Sequence, residues 1–166
     1  MAAEQSEIRR ILVALDASQS SLSALQNAVE LAAALEAELI GLYVEDTNLL
    51  RLAQLPLARE VSAFSPIFRQ MEAIEIERQL RAQAGQIRRI VARVCEDRGI
   101  SWQFKVSRGV VAAELLAAAV DADLMVLGKI GRSFSGARTG SITRTIVSSR
   151  PGMTLVLRSG SLLTFP

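Results

Sequence analysis

Apolar and polar positions follow two patterns along this chain. Short apolar runs recur at Ile8–Leu15 (IRRILVAL, continuous from Ile11), Glu38–Val44 (ELIGLYV) and Leu124–Leu127 (LMVL). An apolar run with no wet side is what a parallel strand covered on both faces shows. Trp102–Val106 (WQFKV) alternates, and Met153–Leu157 (MTLVL) follows Pro151-Gly152, which predicts two further strands. Between the strands the spacing becomes helical. Leu22, Leu25, Val29, Ala32 and Ala33 predict a helix over 20–36, and Met71, Ile76, Leu80, Ala84, Ile87, Val91, Val94 and Cys95 predict one over Phe68–Arg98, stopped by Gly99. At 1.5 Å per residue the second would reach roughly 45 Å, more than the width of a domain of this size. Its first turns must overhang or bend; Gly85 is a candidate for the bend, although an isolated glycine in a helix often changes nothing visible. Val110–Val120 and Ser141–Ser149 supply the last two helices.

The order β-α-β-α-β-α-β-α-β predicts an α/β fold, an open five-stranded parallel sheet with helices on both faces. Such sheets take ligands beyond the carboxyl ends of their strands, where the winding reverses. Residues 45–67 break the rhythm, with leucines at 49, 50, 52, 55 and 57 interrupted by Pro56 and Pro66. They are either a flap or partner surface over the site or a loop packed back on its own domain. The final SGSLLTFP has no periodicity and reads as a tail over 159–166.

Composition narrows the function. A chain of 166 residues, half hydrophobic, suits one domain with its core over 8–158. Its net charge of +2 does not indicate a general affinity for nucleic acid. The single cysteine, Cys95, excludes an intrachain disulfide and falls at a core spacing. Without histidine, zinc-hydrolase and Ser-His-Asp chemistries lose their commonest ligand and base. The polar start, MAAEQSEIRR, has no long apolar run behind it, so a cytoplasmic protein with no membrane contact is expected.

The stretch that carries chemistry is LMVLGKIGRSFSGARTGSITRTIVSS, residues 124–149. Glycines at 128, 131, 136 and 140 are interleaved with Lys129, Arg132, Arg138 and Arg144, and Ser141 sits where a helix would be capped. Glycines let backbone approach a ligand, and helix-start N–H groups with nearby cations suit phosphate. No acidic residue follows Asp123, so the last quarter of the chain carries positive charge only. The stretch is neither a P-loop nor Gly-x-Gly-x-x-Gly after a first strand. Asp16, after the first strand, is either a ligand acceptor or a cap for the helix that follows. Ala14, Leu15, Val44 and Leu127 are strand core in any α/β fold, and each cation taken singly reads as a solvated charge.

Gly128-Lys129-Ile130-Gly131, eight residues, then Gly140-Ser141 resembles the universal stress protein family, whose nucleotide-binding members carry the same glycines with a nine-residue gap. The loop here is one residue shorter, which spares the adenine side and shifts backbone donors on the triphosphate side. The resemblance, over residues 8–158, implies strand order 3-2-1-4-5, with Asp16 and Gly128 facing one crevice. It implies a site for ATP, or for ADP or AMP, with Mg or Mn. Asp16 would contact the nucleotide, Ala14, Leu15 and Leu127 would line the adenine pocket, and the Val44 backbone would hold the base. Gly128, Gly131, Gly140 and Ser141, with Arg132, Ile142 and Thr143, would take the phosphates. It also implies a homodimer paired through 153–157. With no nucleophile and base in view, a regulatory or stress-response binder with at most slow ATP hydrolysis is favoured over an enzyme. The alternative is a member without nucleotide that acts as a dimeric protein-interaction module on an unknown partner.

Overall fold

The computed structural model describes residues 7–54, 66–128, 141–158 and 160–163. In chain order the elements are β1 (Arg10–Leu15), α1 (Gln19–Leu35), β2 (Glu38–Asp46), α2 (Thr47–Gln54), α3 (Pro66–Arg98), β3 (Trp102–Gly109), α4 (Val111–Ala118, extended by a 3-10 turn at Ala119–Asp121), β4 (Leu124–Gly128), α5 (Ser141–Ser149) and β5 (Met153–Leu157). The strands form one sheet in the order β3-β2-β1-β4-β5, every pairing parallel.

Strand alternation divides the core in two. Ile11, Val13 and Leu15 of β1 and Leu124 and Val126 of β4 pack with α1 (Leu25, Ala28, Val29) and α3 (Ile87, Val91, Cys95). Leu12 of β1 with Met125 and Leu127 of β4 packs on the other face with Leu115 of α4 and Ile146 of α5. Burial on both sides explains why β1 and β4 read as unbroken apolar runs. β3 alternates because it is an edge strand, half exposed along its length.

Two expectations are corrected, on β3 and on residues 45–54, and one open alternative is resolved, on α3. β3 continues three residues past Val106, to Gly109, because it pairs residue for residue with β2 from Leu39↔Trp102 to Asp46↔Gly109. α3 is one helix of 33 residues, about 50 Å long. Gly85 does not interrupt it; it lies on an open flank where a β-carbon would meet nothing within 4 Å. Residues 45–54 are not irregular: Glu45 and Asp46 end β2, and Leu49, Leu50 and Leu52 belong to α2, which packs on α3. The Asp46 carboxylate starts α2 by accepting the Asn48 N–H at 2.8 Å. Residues 55–65, within the expected flap, lie outside the described residues.

Polar groups tie the frame where apolar contact ends. Asp123 Oδ2 accepts the backbone N–H groups of Arg9 and Arg10, both at 2.9 Å, joining the starts of β1 and β4. Those two bonds hold the carboxyl below its usual range. Asn27 is 1% exposed, and its amide donates to Ser23 O (2.8 Å) and Ser161 O (2.7 Å) and accepts the Leu163 N–H (2.6 Å). The end of the chain, read as a tail, is therefore fastened to α1 over 161–163; residues 159 and 164–166 lie outside the described residues.

Candidate functional site

The winding reverses between β1 and β4. α1, which follows β1, packs on one face of the sheet, and α5, which follows β4, packs on the other. The two strands run side by side through Ile11↔Leu124, Leu12↔Met125 and Val13↔Val126. Asp16, just beyond β1, and Gly128, the last residue of β4, therefore stand at the same rim, where open α/β sheets hold ligands. α5 begins there too: its far end leads through Arg150–Gly152 into β5 at the opposite rim, where Arg150 donates to the Ala122 carbonyl at 2.6 Å.

Asp16 is not the helix cap. Ser18 caps α1, its hydroxyl accepting the Ser21 N–H at 3.1 Å. Asp16 Oδ1 instead accepts the Ser18 N–H at 3.0 Å, across Ala17 at φ 61°. The turn is closed by serine hydroxyls: Ser21 Oγ accepts the Asp16 N–H at 3.3 Å and donates to Ser18 O at 3.0 Å. These bonds fix the carboxylate while leaving it exposed, and its second oxygen has no hydrogen-bond partner among the described residues. An anchored carboxylate with a spare acceptor suits a ligand that offers hydroxyl groups.

Gly128 is required by the fold itself. A β-carbon there would lie 2.6 Å from both C and O of Ser20 and 2.9 Å from the Ser21 nitrogen, because the first turn of α1 rests on the end of β4. The glycine expected to admit a ligand first of all admits a helix.

Ala14, Val44 and Leu127 come together. All three belong to the α4 and α5 side of the sheet, with Leu127 buried and the other two partly exposed. Leu15 does not join them. Its side chain is 4% exposed in the opposite core against α1, which leaves its backbone as the part turned to the α5 side. On α5, Ile146 is fully buried and seats the helix, while Ile142 is 41% exposed and Thr143 partly exposed near its start, which Ser141 opens. Gly131, Arg132 and Gly140 lie outside the described residues, as do Lys129, Gly136 and Arg138.

The rim beside β2 holds a polar cluster that sequence reasoning missed. Glu45 is 7% exposed and receives Arg108 through Nε, at 2.8 Å, and a second guanidinium nitrogen; Arg108 also reaches Glu77 of α3 at 3.5 Å. Tyr43 donates to Gln83 Oε1 at 2.8 Å. Burial pushes its phenol up to about 12, with the negative charges of Glu45 and Asp16 adding to the effect. Only the length of β2 could have signalled this cluster, since Glu45 and Tyr43 share a face when the strand runs on to Asp46. Among the described residues no group of three His, Cys, Asp or Glu side chains could hold a metal ion, and no helix is long and apolar enough to cross a membrane.

The rim thus offers a small apolar wall, a fixed carboxylate and a helix start, a donor set that fits a flat ring joined to a hydroxylated, anionic group. The sequence model described as the Universal stress protein family matches residues 7–158. The chain belongs to this family. The solved structure of a universal stress protein, UspA from Lactobacillus plantarum, is 25% identical, with a TM-score of 0.63 over 92% of this chain and 99% of that one. A universal stress protein in complex with cAMP is 20% identical, with a TM-score of 0.61 over 93% of this chain and all of its own. A family protein from Arabidopsis thaliana with AMP bound is 15% identical, with a TM-score of 0.61 over 92% and 93% of the two chains. The last two establish a shared fold. No curated protein matches the sequence.

Proposed function

We propose that this family member binds an adenine nucleotide, ATP with Mg or Mn in the first instance, at the rim between β1 and β4, and acts as a regulatory binder in a stress response. The observation that carries the reading is the meeting of Asp16, with a spare carboxylate oxygen, and the apolar group Ala14, Val44 and Leu127 at the reversal point of the sheet. Adenine packs on that apolar group and the ribose hydroxyls donate to Asp16. The phosphates run toward Gly128, Gly131, Arg132, Gly140 and the start of α5 at Ser141, Ile142 and Thr143. The metal rides on the phosphates. One exposed carboxylate already engaged in a turn favours retention of ATP over its turnover. The active form is a homodimer paired through β5.

Related folds solved with cAMP and with AMP support the ligand class. The test is thermal unfolding with ATP and magnesium. Ligand at a hundredfold excess over Kd stabilises by about 2.7 kcal/mol, and for a domain near this size that raises Tm by roughly 5–10 °C. An unshifted melting curve at millimolar ATP, ADP and AMP overturns the reading.

Gly128 leaves room for a second reading. The backbone of Ser20 demands this glycine with or without a ligand, so its presence is equally consistent with a member that lacks nucleotide and works through dimeric protein contacts. Mass spectrometry of small molecules released from the purified protein separates the two, since only the first yields an adenylate.

A further inference from the structure

The sheet has a second edge, away from β5. β3 is bonded to β2 along its whole length and, among the described residues, has no strand on its other side. Next to that edge α3 and Trp102 enclose an open groove of about 490 Å³, lined by Gly85, Arg88, Arg89, Ala92, Glu96 and Trp102. Gly85 and Ala92 leave its floor low. Arg88 and Arg89 are exposed, and neither has an ion pair among the described residues. From Arg78 to Cys95 the helix has five arginines and no acidic residue. On the strand Lys105 is exposed on the face opposite Trp102 and Arg108 is held by Glu45 and Glu77, so the unpaired charge at the groove is that of Arg88 and Arg89, beside Glu96.

A free edge offers backbone donors and acceptors to an extended segment, and alternate side chains of that segment fall on one side of the sheet. Arginine and tryptophan are the side chains over-represented where protein partners bind tightly, and they combine charge with a flat apolar surface. A second copy of this chain does not fit the edge, because β3 against β3 would set Lys105 and the arginines of one copy against those of the other. An acidic strand fits it.

We propose that the outer edge of β3 and the Arg88–Arg89–Trp102 groove form a docking site for an extended acidic segment of a partner protein, which joins the sheet beside β3 and lays acidic side chains against the two arginines. The site is separate from the nucleotide rim, and its test does not depend on that reading.

Trp102 is the only tryptophan in the chain, so its fluorescence reports on the groove directly. The probe is a capped ten-residue peptide alternating glutamate with threonine, compared with its lysine counterpart and with a short RNA oligomer. The expected result is a saturable change in emission with the glutamate peptide alone, weakened by salt. The double variant Arg88→Glu, Arg89→Glu changes two exposed side chains and should melt as the parent does. It should bind at least about tenfold more weakly, as expected when like charges replace opposite ones. Hydrogen exchange of β3 amides should slow when the glutamate peptide is added. Equal response to the lysine peptide, response to RNA without response to the peptide, unchanged binding by the charge-reversed variant, or unaltered exchange in β3 would each overturn the proposal.

Discussion

The backbone of Ser20 lies 2.6 Å from where a β-carbon of Gly128 would sit, so the first turn of α1 and the end of β4 touch with no room for a side chain. Replacing Gly128 with alanine must push α1 off the sheet or bend β4. Overpacking of this kind costs about 1–3 kcal/mol. Urea unfolding of Gly128→Ala should show a loss in that range without nucleotide present. Unchanged stability would mean that the contact between helix and strand yields freely.

Asp16 and Ser18 have separable roles. Ser18→Ala removes the cap of α1 and should destabilise the fold by about 1 kcal/mol. Asp16→Asn keeps an oxygen for the Ser18 N–H and removes the charge. Its stability should hardly change, while nucleotide affinity, measured by calorimetry, should fall about tenfold or more, as the loss of a charged acceptor predicts. Equal affinity in the folded variant would take Asp16 out of the site.

Asn27 connects α1 to the end of the chain through bonds to Ser161 and Leu163. Asn27→Ala leaves those backbone groups without their partner, at a cost of about 1–3 kcal/mol. Limited proteolysis followed by mass measurement should then detect cleavage after Arg158 at protease levels that leave the parent intact. A parent and variant cut at the same rate would show that other contacts hold the segment.

Cys95 is fully buried beside Ile87 and Val91, and burial pushes its thiol up to about 11 from 9.0. The fold therefore favours the neutral thiol. Its contribution is fully present below pH 9 and is lost as the unfolded chain ionises between pH 9 and about 11. The urea midpoint should fall across that interval, and Cys95→Ala, although less stable at pH 7, should show a shallower fall. The same slope in both proteins would assign the alkaline loss to other groups, of which Tyr43, also raised, is the first candidate.

β5 is an outer strand carrying Met153 and Val156 at 54% and 37% exposure, an apolar edge that needs cover. Leu155 on the same strand packs into the core against α1, so a charge there would test stability more than assembly. Val156→Lys should convert a dimer to monomers in light scattering while leaving the melting transition cooperative. A dimer that survives the lysine would place the interface elsewhere.

The chain read alone yields the five strands and four of the helices in order, but not α2, whose leucines lie in a stretch broken by Pro56 and Pro66. β5 and α5 were legible from the Pro151-Gly152 turn and from Ser141 at a helix start. An apolar run with no wet side is readable from neighbours alone, which is why β1 and β4 were legible. The carboxylate after β1 and the glycine at the end of β4 were legible for the same reason, as residue types at strand ends. Tertiary structure alone decided what those residues touch. That Ser18 and not Asp16 caps α1, that Leu15 turns away from Ala14, and that Gly128 yields to Ser20 depend on how α1 is set against the sheet. Arg108 meets Glu45 across 63 positions and Leu163 meets Asn27 across 136. Periodicity carries information over a turn or a strand, whereas these contacts form only when distant segments are brought together by burial of the two cores.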